Sequence, residues 1–530
     1  MAKLIFITGG VVSSLGKGIA ISSIATLLQG HRYTLRLKKL DPYFNIDSGT
    51  MNPMQHGEIF VTEDGTETDM DIGHYERFTG MKASISDATT SGKIYAKLLS
   101  KERNGDYLGY TVQVIPHITN LIKDFILQGE DKVDIILCEI GGTVGDIEAL
   151  PYLESIRQLF NERTKENILS IHLTLIPHLK TAKELKTKPT QHSVKELLSI
   201  GIQPSIILCR GEQVLDIGIK KKISLFCNIK QTNVIQALDS KSIYNIPLLY
   251  HQEQLDKKIL TLLNLKPSTY TANNWKQLSV KNRTRKNQVR IVIIGKYDNF
   301  QNSYKSLTES LEHCSINQGY SIKTTYINVN KTKNNVIQRL LATAHGIIIP
   351  GGFGAKGLDK IISAIQYARE EDIPLLGICL GYQLVLIEYA RNVLGIHDAN
   401  STEFSQQCTK IIHLRQYNQS KKTYNIGGSM RLGSHRCVLR NGSKIQKIYG
   451  KRFITERHRH RYEFNYSFQD KFERGDLFFS GISSSDQCFE IIESKKKKWF
   501  IAVQFHPEYI SSPFMPHPLF MSFMQNANDY

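Results

Sequence analysis

The sequence predicts an α/β protein built from two doubly wound domains joined by a polar, basic linker. Three observations carry this. Short apolar runs alternate with helix-length stretches in both halves of the chain. From Lys266 to Arg290 the chain turns polar and gathers Asn273-Asn274 and the basic string Lys281–Lys286. Each half also has a strand that runs into a glycine-rich turn and then a helix, a way for open sheets to present chemistry.

The first domain is expected over 1–265. Its strands are Leu4–Thr8, Asp134–Glu139, His172–Ile176 and Ser205–Arg210, with helices over Gly16–Leu28, Ile115–Leu127, Ile147–Phe160 and Ser193–Ser199. Such alternation favours a mainly parallel sheet. Between the first strand and helix lies Gly9-Gly10-Val11-Val12-Ser13-Ser14-Leu15-Gly16-Lys17-Gly18. A loop of this kind turns N–H groups towards phosphates at a helix N-terminus, where Lys17 reaches the outer phosphates. It departs from the P-loop spacing, with five residues between Gly10 and Gly16. Gly18 also stands where Ser or Thr normally touches magnesium. A glycine turn without phosphate is the competing reading. Magnesium then needs other ligands. Glu139 ends an apolar strand, where ligands of open sheets gather, and Asp71 lies in an acidic segment. By residue type alone, either acid also reads as a surface charge or helix cap, and the strand-end placement favours Glu139 over Asp71. Lys186–Ser193 combines cations, hydroxyls and an amide just before a helix, which suits a phosphorylated ligand or an ordinary capped loop.

The linker is expected over 266–289, and strand Arg290–Ile294 opens the second domain, 290–530. There Gly346–Ile349 runs into Pro350-Gly351-Gly352-Phe353-Gly354, whose N–H groups suit an oxyanion hole. Leu375–Ile378 reads as a buried strand and Tyr382–Arg391 as a helix, with Cys379 on the turn between Gly377 and Gly381. The helix dipole there favours the thiolate, and the glycines permit a strained backbone. His506 and Glu508, far downstream, supply a base and its orienter. Cys379 alone reads as a structural cysteine; with the other features in order it reads as a nucleophile.

Composition narrows the classes. At 530 residues the chain is too long for one core, and 41% hydrophobic with 22% charged residues is ordinary for a globular protein. No apolar run is long enough to cross a bilayer, and Leu4–Ile7 reads as a strand rather than a signal-peptide core. The eight cysteines form no CxxC pair, which argues against a zinc site or disulfide framework. A working thiolate suits the cytoplasm. The net charge of +18 raises nucleic-acid binding, but no zinc finger, RRM or helix-turn-helix pattern accompanies it. Runs such as Lys220–Lys222 and Lys495–Lys498 read as solvated surface.

The Cys379, glycine-loop and His506-Pro507-Glu508 set resembles class I glutamine amidotransferases. Gly9–Gly18, Lys39–Tyr43, Gln55–Glu58, Thr62–Gly65, Gly73–Phe78, Gln113–Thr119, Glu139–Glu148, Lys186–Ser193, Asn400–Phe404 and Arg457–Glu463 together resemble the CTP synthase family, in family order over essentially the whole chain. The resemblance implies a dethiobiotin synthetase-like, P-loop-like amidoligase domain followed by a glutaminase domain. It implies ATP-dependent amination of UTP to CTP, the last step of de novo CTP synthesis, through a 4-phosphorylated UTP and ammonia passed internally from glutamine. It places ATP at Ser14, Leu15, Gly16, Lys17, Gly18 and Ile19, with Leu238, Asp239 and Ser240 nearby, and magnesium on Asp71 and Glu139. It places UTP, or CTP as feedback inhibitor, at Ser13, Asp146, Ile147, Glu148, Lys186, Thr187, Lys188, Pro189, Thr190, Gln191 and Lys222, with Lys39 as a second phosphate clamp. Glutamine would meet Gly352, Leu380, Gly381, Tyr382, Gln383, Glu403 and Arg461, with Cys379, His506 and Glu508 as the triad. GTP activation and a homotetramer are also implied. Two departures bear on regulation. Ala355-Lys356 replaces an aromatic and an arginine common in the family, and Lys180 and Lys183 add charge where small neutral residues are usual. The rival readings are another amidoligase with a glutaminase domain, such as the cobyric acid synthase type, and a scaffold without turnover.

Overall fold

The computed structural model describes residues 1–181, 183–285, 287–297, 300–415 and 430–530. Lys286 of the expected linker lies outside them. The chain divides into two compact units, one of residues 1–48 and 71–280, the other of residues 49–70 and 281–530.

The first unit is built on a seven-stranded sheet: β1 (Lys3–Gly9), β2 (Leu35–Asp41), β3 (Ala88–Thr90), β4 (Ile135–Ile140), β5 (Ile168–Leu175), β6 (Ile206–Gly211) and β7 (Val234–Leu238). The order is β7-β6-β5-β1-β4-β2-β3 and every pair is parallel. Neighbouring strands lead to opposite edges from β1, so the C-terminal ends of β1 and β4 border a switch-point crevice. The continuous apolar run of β4 is buried throughout, as a parallel strand covered on both faces requires.

Two helices differ instructively from expectation. Ile115 has extended rather than helical angles (φ −105, ψ 125), so the α-helix begins only at Thr119. Ile115 precedes Pro116, whose ring disfavours the helical conformation of the residue before it. The helix expected from Ser193 already starts at Lys188, with a proline in its first turn. Lys188–Gln191 therefore form the first turn itself rather than a preceding loop, because proline is pre-organised for that position. The expected linker contains a helix, Asn273–Arg283, whose Trp275 is fully buried 5.5 Å from Phe78.

The second unit holds a nine-stranded sheet: β8 (Gln288–Gly295), β9 (Ser321–Asn328), β10 (Gly346–Ile349), β11 (Leu375–Ile378), β12 (Arg431–Leu439), β13 (Phe453–His460), β14 (Leu477–Ser483), β15 (Phe489–Ser494) and β16 (Phe500–Val503). Its order is β9-β8-β10-β11-β16-β15-β14-β12-β13. Pairing is parallel from β9 to β16 and antiparallel beyond. Ile347 and Ile349 enter one core and Ile348 the other, so successive residues of β10 serve opposite faces of the sheet. Residues 49–70 are fastened within this unit. Tyr509 donates its hydroxyl to the Ile59 carbonyl at 3.0 Å, and Arg457 donates to the Val61 carbonyl at 3.0 Å. Arg459 pairs with Glu67 at 2.8 Å.

Among the described residues no helix is long and apolar enough to cross a membrane.

Candidate active sites

The first site lies at the C-terminal ends of β1, β2 and β4. After β1 the chain enters the glycine-rich loop with three residues in the left-handed region: Val11 (φ 77), Ser14 (φ 57) and Gly16 (φ 95). A β-branched residue held there is strained, and such strain persists where surrounding structure demands it. The loop delivers its N–H groups to the start of α1 (Lys17–Gly30), which has no side-chain cap. Lys17 is buried and donates to the Gly142 carbonyl at 2.5 Å. Burial lowers its pKa, against the pull of Glu139 and Asp71.

Asp71 belongs to the first turn of α2 (Met70–Thr79). A β carbon on Gly18 would lie only 2.1 Å from its Oδ1. Lys39 binds Asp71 at 2.5 Å and Glu139 at 3.0 Å, with Asp41 at 3.6 Å. Tyr75 donates its hydroxyl to the other oxygen of Glu139. Burial, then the Asp71 charge, raises Glu139, and burial likewise raises Asp41. Burial works the same way on Asp71, but Lys39 and His74 outweigh it and hold this carboxyl below its usual range. Asp71 thus stays ionised, with the Lys39 ammonium set between it and Glu139. No set of three acid, histidine or cysteine groups forms a metal cage among the described residues. Two hard carboxylates fit magnesium, which keeps waters and phosphate oxygens as its other ligands.

A cavity of about 360 Å³ adjoins the loop, lined by Leu15, Gly16, Ile19, Leu238, Asp239 and Ser240 among others. Arg210, which also lines it, donates to the Leu15 carbonyl at 2.7 Å and to Asp239 at 2.8 Å. Ser13 is exposed on the loop, and Asp146, Ile147 and Glu148 are exposed on the turn after β4. The Asp146 carboxylate accepts from Thr143 N at 2.7 Å. Helix α3 (Lys188–Ser199) carries Lys188, Pro189, Thr190 and Gln191, with Thr187 at the N-cap position, making no side-chain cap bond, and Lys186 just before. Gln191 donates to the Thr187 hydroxyl at 3.0 Å. Lys186 pairs with Glu184, and the Lys222 charge acts on the same carboxylate, so two cations converge beside α3.

The second site is centred on Cys379, between β11 and α4 (Leu380–Asn392). Its backbone (φ 54, ψ −100) is outside the comfortable regions for an L-residue, a geometry shared with the sharp strand-to-helix elbows that can present a nucleophile. The turn is tight on both sides. A β carbon at Gly381 would lie 2.1 Å from the Ile349 carbonyl oxygen, and one at Gly377 2.9 Å from Ala502 Cβ. His506 Nδ1 lies 2.7 Å from Glu508 Oε1. His506 Nε2 is buried and meets no protein nitrogen or oxygen among the described residues. Burial disfavours the charged imidazole, but Glu508 and Cys379 overcome it and raise the group to about 10. Gly351 sits between the two: a β carbon there would be 3.0 Å from His506 Cε1 and 3.6 Å from Cys379 Cβ.

A small cavity of about 50 Å³ opens here, lined by Cys379, His506, Gly351, Gly352, Arg459 and, from residues 49–70, Pro53, Glu58 and Ile59. Glu403 accepts from Gly354 N at 2.9 Å and feels the charges of Lys296 and Arg461. Leu380 and Gly381 supply the first N–H groups of α4. Tyr382 turns into the core and donates to the Phe489 carbonyl at 2.9 Å, and Gln383 donates to the Tyr462 carbonyl at 3.2 Å. Neither residue lines the cavity at Cys379, and Gln383 N donates within the helix to the Cys379 carbonyl at 3.2 Å.

The two halves match two known families. Residues 3–265 match the family model for the CTP synthase N-terminus, and residues 299–526 that for class I glutamine amidotransferase. A CTP synthase of Pelagibacter ubique is 51% identical over 537 residues, covering 100% of both chains. The chain belongs to the CTP synthase family. A CTP synthase of Rickettsia bellii is likewise 51% identical, over 100% of this chain and 99% of its own. The solved Trypanosoma brucei CTPS glutaminase domain with bound acivicin is 34% identical, covers 46% of this chain and 94% of its own, and has a TM-score of 0.42. As a family member the chain is a glutamine-hydrolysing ligase that converts UTP to CTP.

Sequence reasoning did not single out Arg210, Asp41, Tyr75 or Arg459. Arg210 had a signal, a charge directly after the apolar run Ile206–Cys209, whereas Asp41 ends a strand already rich in charge, Leu35–Asp41. Arg459 lies within the family-like string Arg457–Glu463, but its place beside Cys379 was not legible there because β13 lies far away in sequence.

Proposed function

We propose that the first unit is the synthase and transfers phosphate from ATP to oxygen 4 of UTP, while the second hydrolyses glutamine. Ammonia then attacks carbon 4 of the activated ring and phosphate leaves, giving CTP, ADP, phosphate and glutamate. The observation that carries this reading is the paired chemistry of one chain: a strained phosphate loop facing Asp71 and Glu139, and a strained cysteine facing His506.

In the first unit Ser14 to Ile19 hold the ATP phosphates through backbone N–H groups, and Lys17 follows the transferred charge. Leu238, Asp239 and Ser240 bound the adenine side of the adjoining cavity. Asp71 and Glu139 would hold magnesium, which when bound neutralises phosphate charge. Lys39 keeps Asp71 ionised for that task. Ser13, Asp146–Glu148, Lys186–Gln191 and Lys222 take UTP, and CTP in its place as inhibitor.

In the second unit His506 holds the Cys379 proton, so the thiolate attacks the amide carbon of glutamine. The N–H groups of Gly352 and Leu380 receive the oxyanion, and His506 returns the proton to the departing ammonia. Glu403 and the backbone at Arg461 fix the amino-acid end. Water then releases glutamate. Pro53, Glu58 and Ile59 line the cavity at Cys379 where ammonia is released, and ammonia passes internally to the synthase. Passage keeps ammonia unprotonated and close, which is worth several kcal/mol, on the order of the gains known for intramolecular positioning.

The reading extends to a cytoplasmic homotetramer activated by GTP. Lys356, exposed after Gly354, weakens GTP recognition because a lysine lacks the fork of an arginine. Exposed Lys180 and Lys183 change the response to CTP. CTP formation from UTP, ATP and magnesium, measured with glutamine and again with ammonium, tests the whole. CTP from both sources is expected; CTP from neither, in folded protein that binds ATP, refutes it.

A further inference from the structure

Thr8, His172 and Ser193 form a buried chain that the reaction above does not use. His172 Nδ1 lies 2.8 Å from Thr8 Oγ1, and its Nε2 lies 2.7 Å from Ser193 Oγ. Thr8 and His172 are register partners across β1 and β5. Burial, helped by the Lys17 charge, pushes the imidazole down to about 3, so the ring is neutral, with one donor and one acceptor nitrogen. Each hydroxyl complements one of them.

Ser193 belongs to α3, and its hydroxyl fills the space over Gly10. A β carbon at Gly10 would lie 1.4 Å from Ser193 Oγ and 3.0 Å from His172 Nε2. A second hydroxyl pair repeats the contact, Thr174 to Thr190 at 3.0 Å. Thr174 is two residues along the strand and Thr190 three residues back along the helix, so one face of each element is matched at two points. Helix α3 is therefore held on β5 by directional bonds, and one of them abuts the start of the phosphate loop.

We propose that His172 is a positioning residue that couples the two nucleotide sites: through Ser193 it sets α3, with Lys186–Gln191, against Gly10, so that ATP at the loop tightens the hold on UTP. This rests on the assignment of ATP to the loop and UTP to Lys186–Gln191. By linkage, UTP tightens the hold on ATP by the same factor.

The test is calorimetric titration of UTP into the full chain, without and with a non-hydrolysable ATP analogue and magnesium. The analogue is expected to lower the UTP Kd by about fivefold or more. Ser193→Ala, a mild change, should bring that ratio towards one. His172→Gln places its amide where Nε2 reaches Ser193 and should retain the ratio, whereas His172→Asn reaches only Thr8 and should lose it. A role in stability alone moves both affinities together and leaves the ratio intact. A ratio of one in the unmodified chain, or an unchanged ratio in Ser193→Ala and His172→Asn, overturns the coupling while the site assignments stand. No binding of UTP or of the analogue by the unmodified chain overturns those assignments and the coupling with them.

Discussion

A β carbon on Gly18 would lie 2.1 Å from Asp71 Oδ1. The hydroxyl that a phosphate loop normally offers here has no room, because a carboxylate from α2 occupies the place. Gly18→Ser, which restores the usual loop chemistry by sequence, should therefore abolish CTP formation from glutamine and from ammonium alike. Glutamate release should persist, since the change lies in the other unit. Ammonium-driven turnover near the unmodified level in Gly18→Ser would sink this account.

That pairing also shows where sequence reading stops. The glycine loop, the Cys379 elbow and His506–Glu508 were legible because each is a local pattern, and a local pattern survives in one dimension. The strands around them were legible because parallel strands buried on both faces read as apolar runs. What fills Gly18 was not, since Asp71 is brought there by a different helix. The place of residues 49–70 in the second unit was equally hidden: their anchors are Tyr509, Arg457 and Arg459, and such long-range contacts leave no periodicity. The early start of α3 was missed because Lys-Pro-Thr reads as a loop until proline is placed inside a first turn.

Cys379→Ala should stop CTP synthesis from glutamine and leave synthesis from ammonium. In the proposed mechanism the Cys379 thiolate attacks only the amide carbon of glutamine, and ammonium makes that step unnecessary. Parallel initial rates with the two nitrogen sources decide it. Loss of both would mean that Cys379 serves the synthase as well, against the two-site reading.

Gly381→Ala should lower stability by about 1–3 kcal/mol or more, the usual range for forcing atoms into a packed interior. The clash is with the Ile349 carbonyl, a backbone atom that cannot swing aside. Because the elbow must shift to relieve it, glutamate release should fall further than thermal stability alone explains. Unchanged unfolding temperature and unchanged glutaminase activity would contradict the geometry.

The His506–Glu508 pair predicts a pH signature. The folded imidazole is raised to about 10, against burial, by Glu508 and Cys379. A group raised on folding stabilises the fold fully below its unfolded pKa of about 6.5, and this is lost as pH rises through the folded value. Stability carried by the pair should thus decline between about pH 6.5 and about 10. Glu508→Gln removes the largest raising charge, so its unfolding temperature should be lower near neutrality and should approach that of the unmodified chain as the solution becomes alkaline. Glutamate release should fall by about 10²–10⁴-fold, as when a triad loses the group that orients its base. Calorimetric unfolding across this pH range separates the two effects. A constant offset between the two proteins at every pH would show that Glu508 acts by packing and not through the charge of His506.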